Sequence, residues 1–573
     1  MLRVDGGVPA GTALTAAGRW LLWALALSAA TAQPALGGGD AASTPVERGR
    51  RMYQQGILPS GDAMTGVVLG QVELSGQQVI CSYCHRRSGL GASEGQDVVP
   101  AVTGDILYAP LRLPTSKPPL PPALRPAYDD ASLKRAIRDG IGADGEPLSA
   151  LMPRYALSES DLGDLVAYLR VLDSRPDPGV DDTEINFATI VPDSVDAGAA
   201  EAYLAVFDAF LQQKNAETRN EPRRAAQAPW HRAWSLEAYR RWRLHRWDLQ
   251  GPPSTWQAQL LRHYREQPVF AVLGGVGPGV DWRPIHEFCD AARLPCLFPT
   301  TDLPVADETS FYNLYLSRGM ALEADAVAAN LPQNDLRPTQ VVQVYDPADD
   351  RSRVAASHLE KSLSSSGIGL RAVPVGAGAA ATGASAAATG LGGRVAAALA
   401  TDAPTALVLW LAAQPAGKLL RQLPPVPRVV AVYLSGTLWE GSWDHIPEQW
   451  RPRSRFVWTR ALPAELPQLL RRSTGWLRAK KSYDPAHQRL QADAYFLLKI
   501  VGGALSVNRG FFVRDFLIER IERDVDNAIY TGVYPRVSLA PGQRFVSREA
   551  LIAKVTDSGA MAAVTEWSNP ERR

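Results

Sequence analysis

The sequence predicts a multidomain chain: a small helical domain, then a longer α/β region of doubly wound parallel sheets. Three observations predict it. The chain has 573 residues, too many for one ordinary domain. A polar, proline-rich stretch, Asp173-Ser174-Arg175-Pro176-Asp177-Pro178-Gly179, reads as a linker. Beyond it, short apolar strand runs alternate with helical periods, the pattern of parallel βαβ units. Composition agrees, with 46% hydrophobic and 21% charged residues, the balance of a chain with real cores. Lys+Arg and Asp+Glu number 60 and 59. That balance excludes nucleic acid as the main partner, which would need a basic excess. Four cysteines are too few for a disulfide-stapled scaffold.

The elements follow in chain order. Residues 1–32 read as a signal peptide. Arg3 and Arg19 supply positive charge, Trp20 to Ala30 is a short apolar run, and Ala30-Thr31-Ala32 is a cleavage pattern that leaves Gln33 first. The run is too short to span a bilayer comfortably, and no later stretch is long and apolar enough. The expected location is therefore the periplasm. A helical period covers Glu47 to Gln55. Next comes Cys81-Ser82-Tyr83-Cys84-His85, the C-x-x-C-H pattern of covalent c-type haem. The two thiols add to the haem vinyl groups, and the following His ligates iron. A redox dithiol would want a strand before the motif and a long helix after it. A zinc site would want a second Cys/His pair.

For the sixth iron ligand the sequence offers Met152, on a loop pinned by Pro153, with Met64 as the rival. Ser158 reads as the N-cap of a helix with Asp161 at N3, continuing through Leu162, Leu165, Val166, Leu169 and Leu172. Leu113 to Pro126 reads as an extended surface excursion.

With these motifs, residues 46–173 resemble a class I cytochrome c domain. The resemblance implies an all-α fold whose first and last helices cross. It also implies one covalent haem c on Cys81 and Cys84, with His85 and Met152 as axial ligands of iron, and a proline carbonyl against the proximal His, for which Pro100 is the match.

After a linker at 174–184, the α/β pattern runs to about 565. Its strands are Ile185 to Val191, Leu244 to Asp248, Val269 to Leu273, Cys296 to Phe298, Val341 to Tyr345, Ala406 to Trp410 and Val429 to Leu434. Its helices include Ala197 to Gln212, Trp256 to Glu266, Trp282 to Ala292 and one from Arg351. The order, with Gln267 to Gly275, Ala292 to Pro299 and the late helix Ala492 to Ala504, resembles type I periplasmic binding proteins of the branched-chain amino-acid kind. That resemblance covers 185–565. It implies two α/β lobes around a cleft, with ligand at strand carboxyl ends.

In the cleft, the loop after the Leu-Gly strand reads Gly275-Val276-Gly277-Pro278-Gly279, where amino-acid binders carry a hydroxyl. Backbone N–H groups there, Gly277 included, could still hold an anion. Thr300 and Thr301 fall where the family places further ligand donors, and Asp193 and Ser194 follow the first strand. Ordinary loop capping by short polar residues is the alternative for these four. Cys289 and Cys296 could form a disulfide in an oxidising compartment or stay as buried thiols. Trp230 to Trp247 is dense in Trp and Arg, and reads either as a docking face or as an amphipathic helix on its own sheet. Gly376 to Gly393 reads as a surface insertion.

The expected function is electron transfer by a periplasmic mono-haem cytochrome, not an enzyme. The resemblance implies service to a quinoprotein-type alcohol dehydrogenase, with an oxidase or another cytochrome as acceptor. The solute-binding region would dock a partner or sense a small polar ligand. The alternative is the substrate-binding protein of an ABC-type importer with an accessory haem domain. A dihaem peroxidase would need a second C-x-x-C-H, which the sequence lacks.

Overall fold

The structure is a computed structural model. It describes residues 43–94, 97–113, 123–218, 240–306, 309–333, 337–376, 390–506, 510–527, 532–534, 536–540 and 542–570. The signal segment 1–32, most of the Trp/Arg-rich stretch before 240 and most of the 376–393 insertion lie outside them. The chain divides into two compact units, one of residues up to 83 with 107–171, the other of 84–106 with 172 onward.

In the first unit, helix Pro45–Gln55 is capped by the Thr44 hydroxyl, which accepts from Glu47 N, and ends on Gly56 in the left-handed region. Helix Glu159–Val171 starts at Ser158, whose hydroxyl accepts from Asp161 N. The two helices pack where Gly49 lies against the Asp164 carbonyl. A Cβ at Gly49 would stand 2.1 Å from that oxygen. Arg48 grips the Asp164 carboxylate with two donors, at 2.6 and 2.8 Å.

An all-α fold is corrected here. Thr65–Val68 pairs antiparallel with both Val72–Ser75 and Arg154–Tyr155. The ends of the expected excursion, Leu111–Leu113 and Ala123–Arg125, also pair as strands. Met64 is fully buried among these elements.

The second unit holds two α/β lobes. The first lobe's sheet runs in the order Phe545–Ser547, Asn313–Ser317, Cys296–Leu297, Ala271–Leu273, Glu184–Pro192, Arg241–Leu249. Every neighbouring pair is parallel. Apolar packing covers both faces. Phe187 and Ala271 point to one face, while Ala188 and Val272 point to the other. That double burial is why these strands read as near-continuous apolar runs.

The second lobe's sheet runs Gly369–Pro374, Gln340–Tyr345, Thr405–Trp410, Val429–Ser435, Ser454–Trp458, then Leu551–Val555 and Met561–Ala563. The last two strands are antiparallel additions. The chain passes between lobes three times. After Ser317 it enters helix Met320–Asn330 in the second core. After Trp458 it returns, with Leu470 in the first core. Between Ser547 and Leu551 it crosses again.

The helical alternative for the Trp/Arg-rich stretch is corrected over 241–249. Arg241–Leu249 is an edge strand paired along its length with Glu184–Pro192. Trp242 and Trp247 are an odd number of residues apart, so they fall on opposite faces. Each anchors a different core, and both are buried. Cys289 and Cys296 are joined by a disulfide beneath the same sheet.

Residues 84–106 pack on the first lobe. Arg87 donates to Asp515 at 3.0 Å and stacks over Phe311 at 4.3 Å. Ser88 gives both its N–H and its hydroxyl to the Glu519 carboxylate, at 2.8 and 2.6 Å. Asp515 and Glu519 lie on helix Arg514–Asp524.

Candidate functional site

In open α/β sheets, ligands sit outside the carboxyl ends of the strands. Here the carboxyl ends of both sheets meet. Asp302 follows the first lobe's strand Cys296–Leu297. Glu440 and Arg460 follow the second lobe's strands Val429–Ser435 and Ser454–Trp458. Arg489, on the late helix Gln488–Ser506, bridges them, donating at 2.8 Å to Asp302 and at 2.7 Å to Glu440. Burial works against the Arg489 charge. Asp302 and Glu440 overcome it and hold its pKa above the ordinary guanidinium value. Arg460 donates to Thr437 at 2.8 Å and lies 3.7 Å from Glu440. The late helix exists because Leu490, Ala494, Leu497, Leu498 and Val501 bury one another in the first core.

One turn on from Arg489, Asp493 is 1% exposed. Neither of its carboxylate oxygens has a hydrogen-bond partner among the described residues. Burial pushes it up to about 7, with Arg489 and Arg460 opposing and Asp302 adding to the rise. Tyr203 and Tyr534, both buried, stand within Coulombic reach of it.

The expected cleft residues divide. Thr300 is buried, its hydroxyl beside that of Tyr203, so it belongs to this cluster. Thr301 accepts from Leu303 N at 3.0 Å, a loop cap. Asp193 is exposed and accepts from Gly251 N at 2.9 Å, also a cap. Ser194 is exposed beside it.

The anion cradle around Gly277 is corrected, because its N–H groups are already used. Gly274 N donates to Leu297 O at 2.7 Å and Val276 N to Ile190 O at 3.1 Å. Gly277 N donates to Thr300 O at 3.1 Å, and Gly275 N to the Tyr203 hydroxyl at 3.1 Å. Gly274 must be glycine. Its φ is +66°, and a Cβ would meet the Tyr203 hydroxyl at 1.9 Å.

Sequence reasoning missed Arg489, Asp493, Tyr203, Tyr534, Glu440 and Arg460. One signal was available: Asp493 is an acid within an apolar helical run, which is costly unless it serves something.

Around the C-x-x-C-H motif, Cys81–His85 is a short helix. His85 Nδ1 donates to Pro100 O at 2.9 Å. Burial lowers the His85 pKa, and the Pro100 carbonyl opposes. The Cys81 sulfur lies 3.8 Å from the Tyr155 hydroxyl, which donates to Val79 O at 2.8 Å. Met152 is half-buried, with Arg154 donating to its carbonyl at 2.6 Å.

No protein-family model and no curated protein matches the chain. Solved structures do. The leucine-binding protein LivK of Thermotoga maritima is 14% identical, covering 68% of this chain and 100% of its own, with TM-score 0.45. A fatty acid ABC transporter substrate-binding protein of Thermomonospora curvata is 14% identical over 69% and 95%, with TM-score 0.46. An ABC transporter substrate-binding protein of Aeropyrum pernix is 15% identical over 68% and 97%, with TM-score 0.47. At these TM-scores the two-lobed α/β fold rests on the sheet order and crossings described above.

Covalent haem c is withdrawn as the cofactor. The solved structures found are named as solute-binding proteins. Among the described residues, no group of three or more His, Cys, Asp and Glu side chains is placed to hold a metal ion. Among the same residues, no helix is long and apolar enough to cross a membrane.

Proposed function

We propose that the chain is a periplasmic solute-binding protein that takes a small polar ligand between its two lobes and presents it to an ABC-type importer, without catalysing a reaction. The observation that supports this most is the meeting of both sheets' carboxyl ends at one polar cluster, where Arg489 links the buried Asp302 of one lobe to the exposed Glu440 of the other. A ligand seated there touches both lobes, and three chain crossings let them move about it. The test is a thermal-shift screen of the purified chain against small polar metabolites. A true ligand at 100 times its Kd stabilises by about 2.7 kcal/mol, which for lobes of this size is a shift of several degrees. A screen in which no solute moves the transition overturns the reading.

A further inference from the structure

Away from the cleft, we propose that helix Arg471–Ala479 and the two lysines after it form a cationic face that docks the first lobe onto an anionic phospholipid surface. The stretch from Arg471 to Lys481 carries five cations, Arg471, Arg472, Arg478, Lys480 and Lys481, and no Asp or Glu stands between Glu465 and Asp484. The whole chain has a net charge of +1, so this run of +5 is set against −4 over all the rest. All five side chains are exposed.

The fold of the helix does not call for these charges. Its inward side is Ser473 and Leu477, both buried, with Leu477 in the first core. Arg471, Arg472, Gly475, Arg478 and Ala479 fall on the outward side. A cation in the last turn, such as Arg478, suits the helix dipole. Arg471 and Arg472 stand in the first turn, where the dipole opposes them and no acidic residue offsets it. Among the described residues, Arg471, Arg478, Lys480 and Lys481 form no ion pair. The acids that border the helix are engaged elsewhere. Glu465 accepts from Leu462 N at 2.9 Å, Asp484 from His487 at 2.8 Å, and Glu217 from Gln213 at 2.6 Å.

The shape of the face selects the partner. Gly475 lies at its middle, and a Cβ there would meet nothing within 4 Å. No large apolar side chain of residues 466–483 is exposed, so the face lacks the aromatic or aliphatic anchor on which a protein interface centres. The aromatics nearby are half-buried and hold the cations. Lys480 lies 5.9 Å over the Trp476 ring, and Arg478 lies 4.8 Å over that of Tyr483. Trp476 itself donates to Gln213 at 2.8 Å. A flat, purely cationic face matches a plane of phosphates. Guanidinium forks pair with phosphate oxygens through two parallel hydrogen bonds. Each cation near an anionic bilayer strengthens binding about fivefold.

The experiment is co-sedimentation of the purified full chain with vesicles of phosphatidylcholine alone and of phosphatidylcholine mixed with phosphatidylglycerol. The expected result is uptake on the anionic vesicles only, lost when salt rises from about 50 mM to about 500 mM. The quadruple variant Arg471→Gln, Arg478→Gln, Lys480→Gln, Lys481→Gln should bind at least about a hundredfold more weakly. A control, Lys418→Gln with Arg421→Gln, removes two exposed cations from helix Ala413–Gln422 of the second lobe and should bind as wild type does. Equal uptake on both kinds of vesicle, uptake that survives in the quadruple variant, or uptake lost in the control overturns the inference. So does failure to bind either vesicle, and capture of the chain by immobilised polyglutamate in that case gives the face to an acidic protein.

Discussion

Arg514→Met should destabilise the second unit by about 4 kcal/mol, the largest single-residue effect expected in the chain. Arg514 is 5% exposed. Its Nε donates to Phe270 O at 3.1 Å and its Nη1 to Arg293 O at 3.3 Å. Its Nη2 serves Val269 O at 2.7 Å, Pro178 O at 3.1 Å and the Tyr264 hydroxyl at 2.9 Å. Its backbone N–H donates to Asp177 at 2.7 Å. The guanidinium thus ties the end of the linker, the entry to strand Ala271–Leu273 and helix Arg514–Asp524 into one node. Methionine fills much of the volume but leaves buried carbonyls without donors. Lysine should rescue little, since one ammonium cannot reach acceptors spread around a planar fork. Urea unfolding measures the loss. A change below about 1 kcal/mol in Arg514→Met would show that water replaces the donors.

The second large effect is a pH dependence carried by Glu519. Burial pushes its carboxyl up to about 8, against the two Ser88 donors. In the unfolded chain it titrates near 4.5. Between those values the folded state binds the extra proton, so stability falls as pH rises from about 4.5 to about 8. The full swing is on the order of 4 kcal/mol. Glu519→Gln keeps the shape and an acceptor for Ser88 but cannot ionise, so its stability curve should be flatter. Asp493, raised in the same direction to about 7, leaves a residual slope below that pH. Unfolding free energies at pH 5, 6.5 and 8 check this, and parallel curves for the two proteins would refute it.

The two-lobed α/β fold was legible because parallel strands buried on both faces leave unbroken apolar runs. Glu184–Pro192, Thr405–Trp410 and Val429–Ser435 all announce themselves this way. Arg241–Leu249 was half legible, since alternating arginines on an edge strand mask the apolar signal at Trp242 and Trp247. The strands of the first unit escaped because they are two to four residues long, as in Arg154–Tyr155 and Thr65–Val68. The cleft was legible only at Thr300. Its other members are scattered from Tyr203 to Tyr534, and only the folded crossings bring them together. The Gly-rich loop misled for a physical reason. Glycines there make room for Tyr203 and Trp282, a packing need that looks the same in sequence as an anion cradle.

The three crossings between lobes also set the order in which this protein can be completed. The first lobe's edge strand Phe545–Ser547 and its late helix Gln488–Ser506 arrive after almost all of the second lobe has emerged. Until then the first sheet lacks an edge, and its core lacks the face supplied by Leu490 to Leu505. The second lobe, for its part, waits for Leu551–Val555 to cover Phe456 and Val457. Neither lobe can close during synthesis. Long-range pairing of this kind slows folding and leaves apolar surface open meanwhile. A chain so built keeps both lobes open until its last strands are made, and the two mature together.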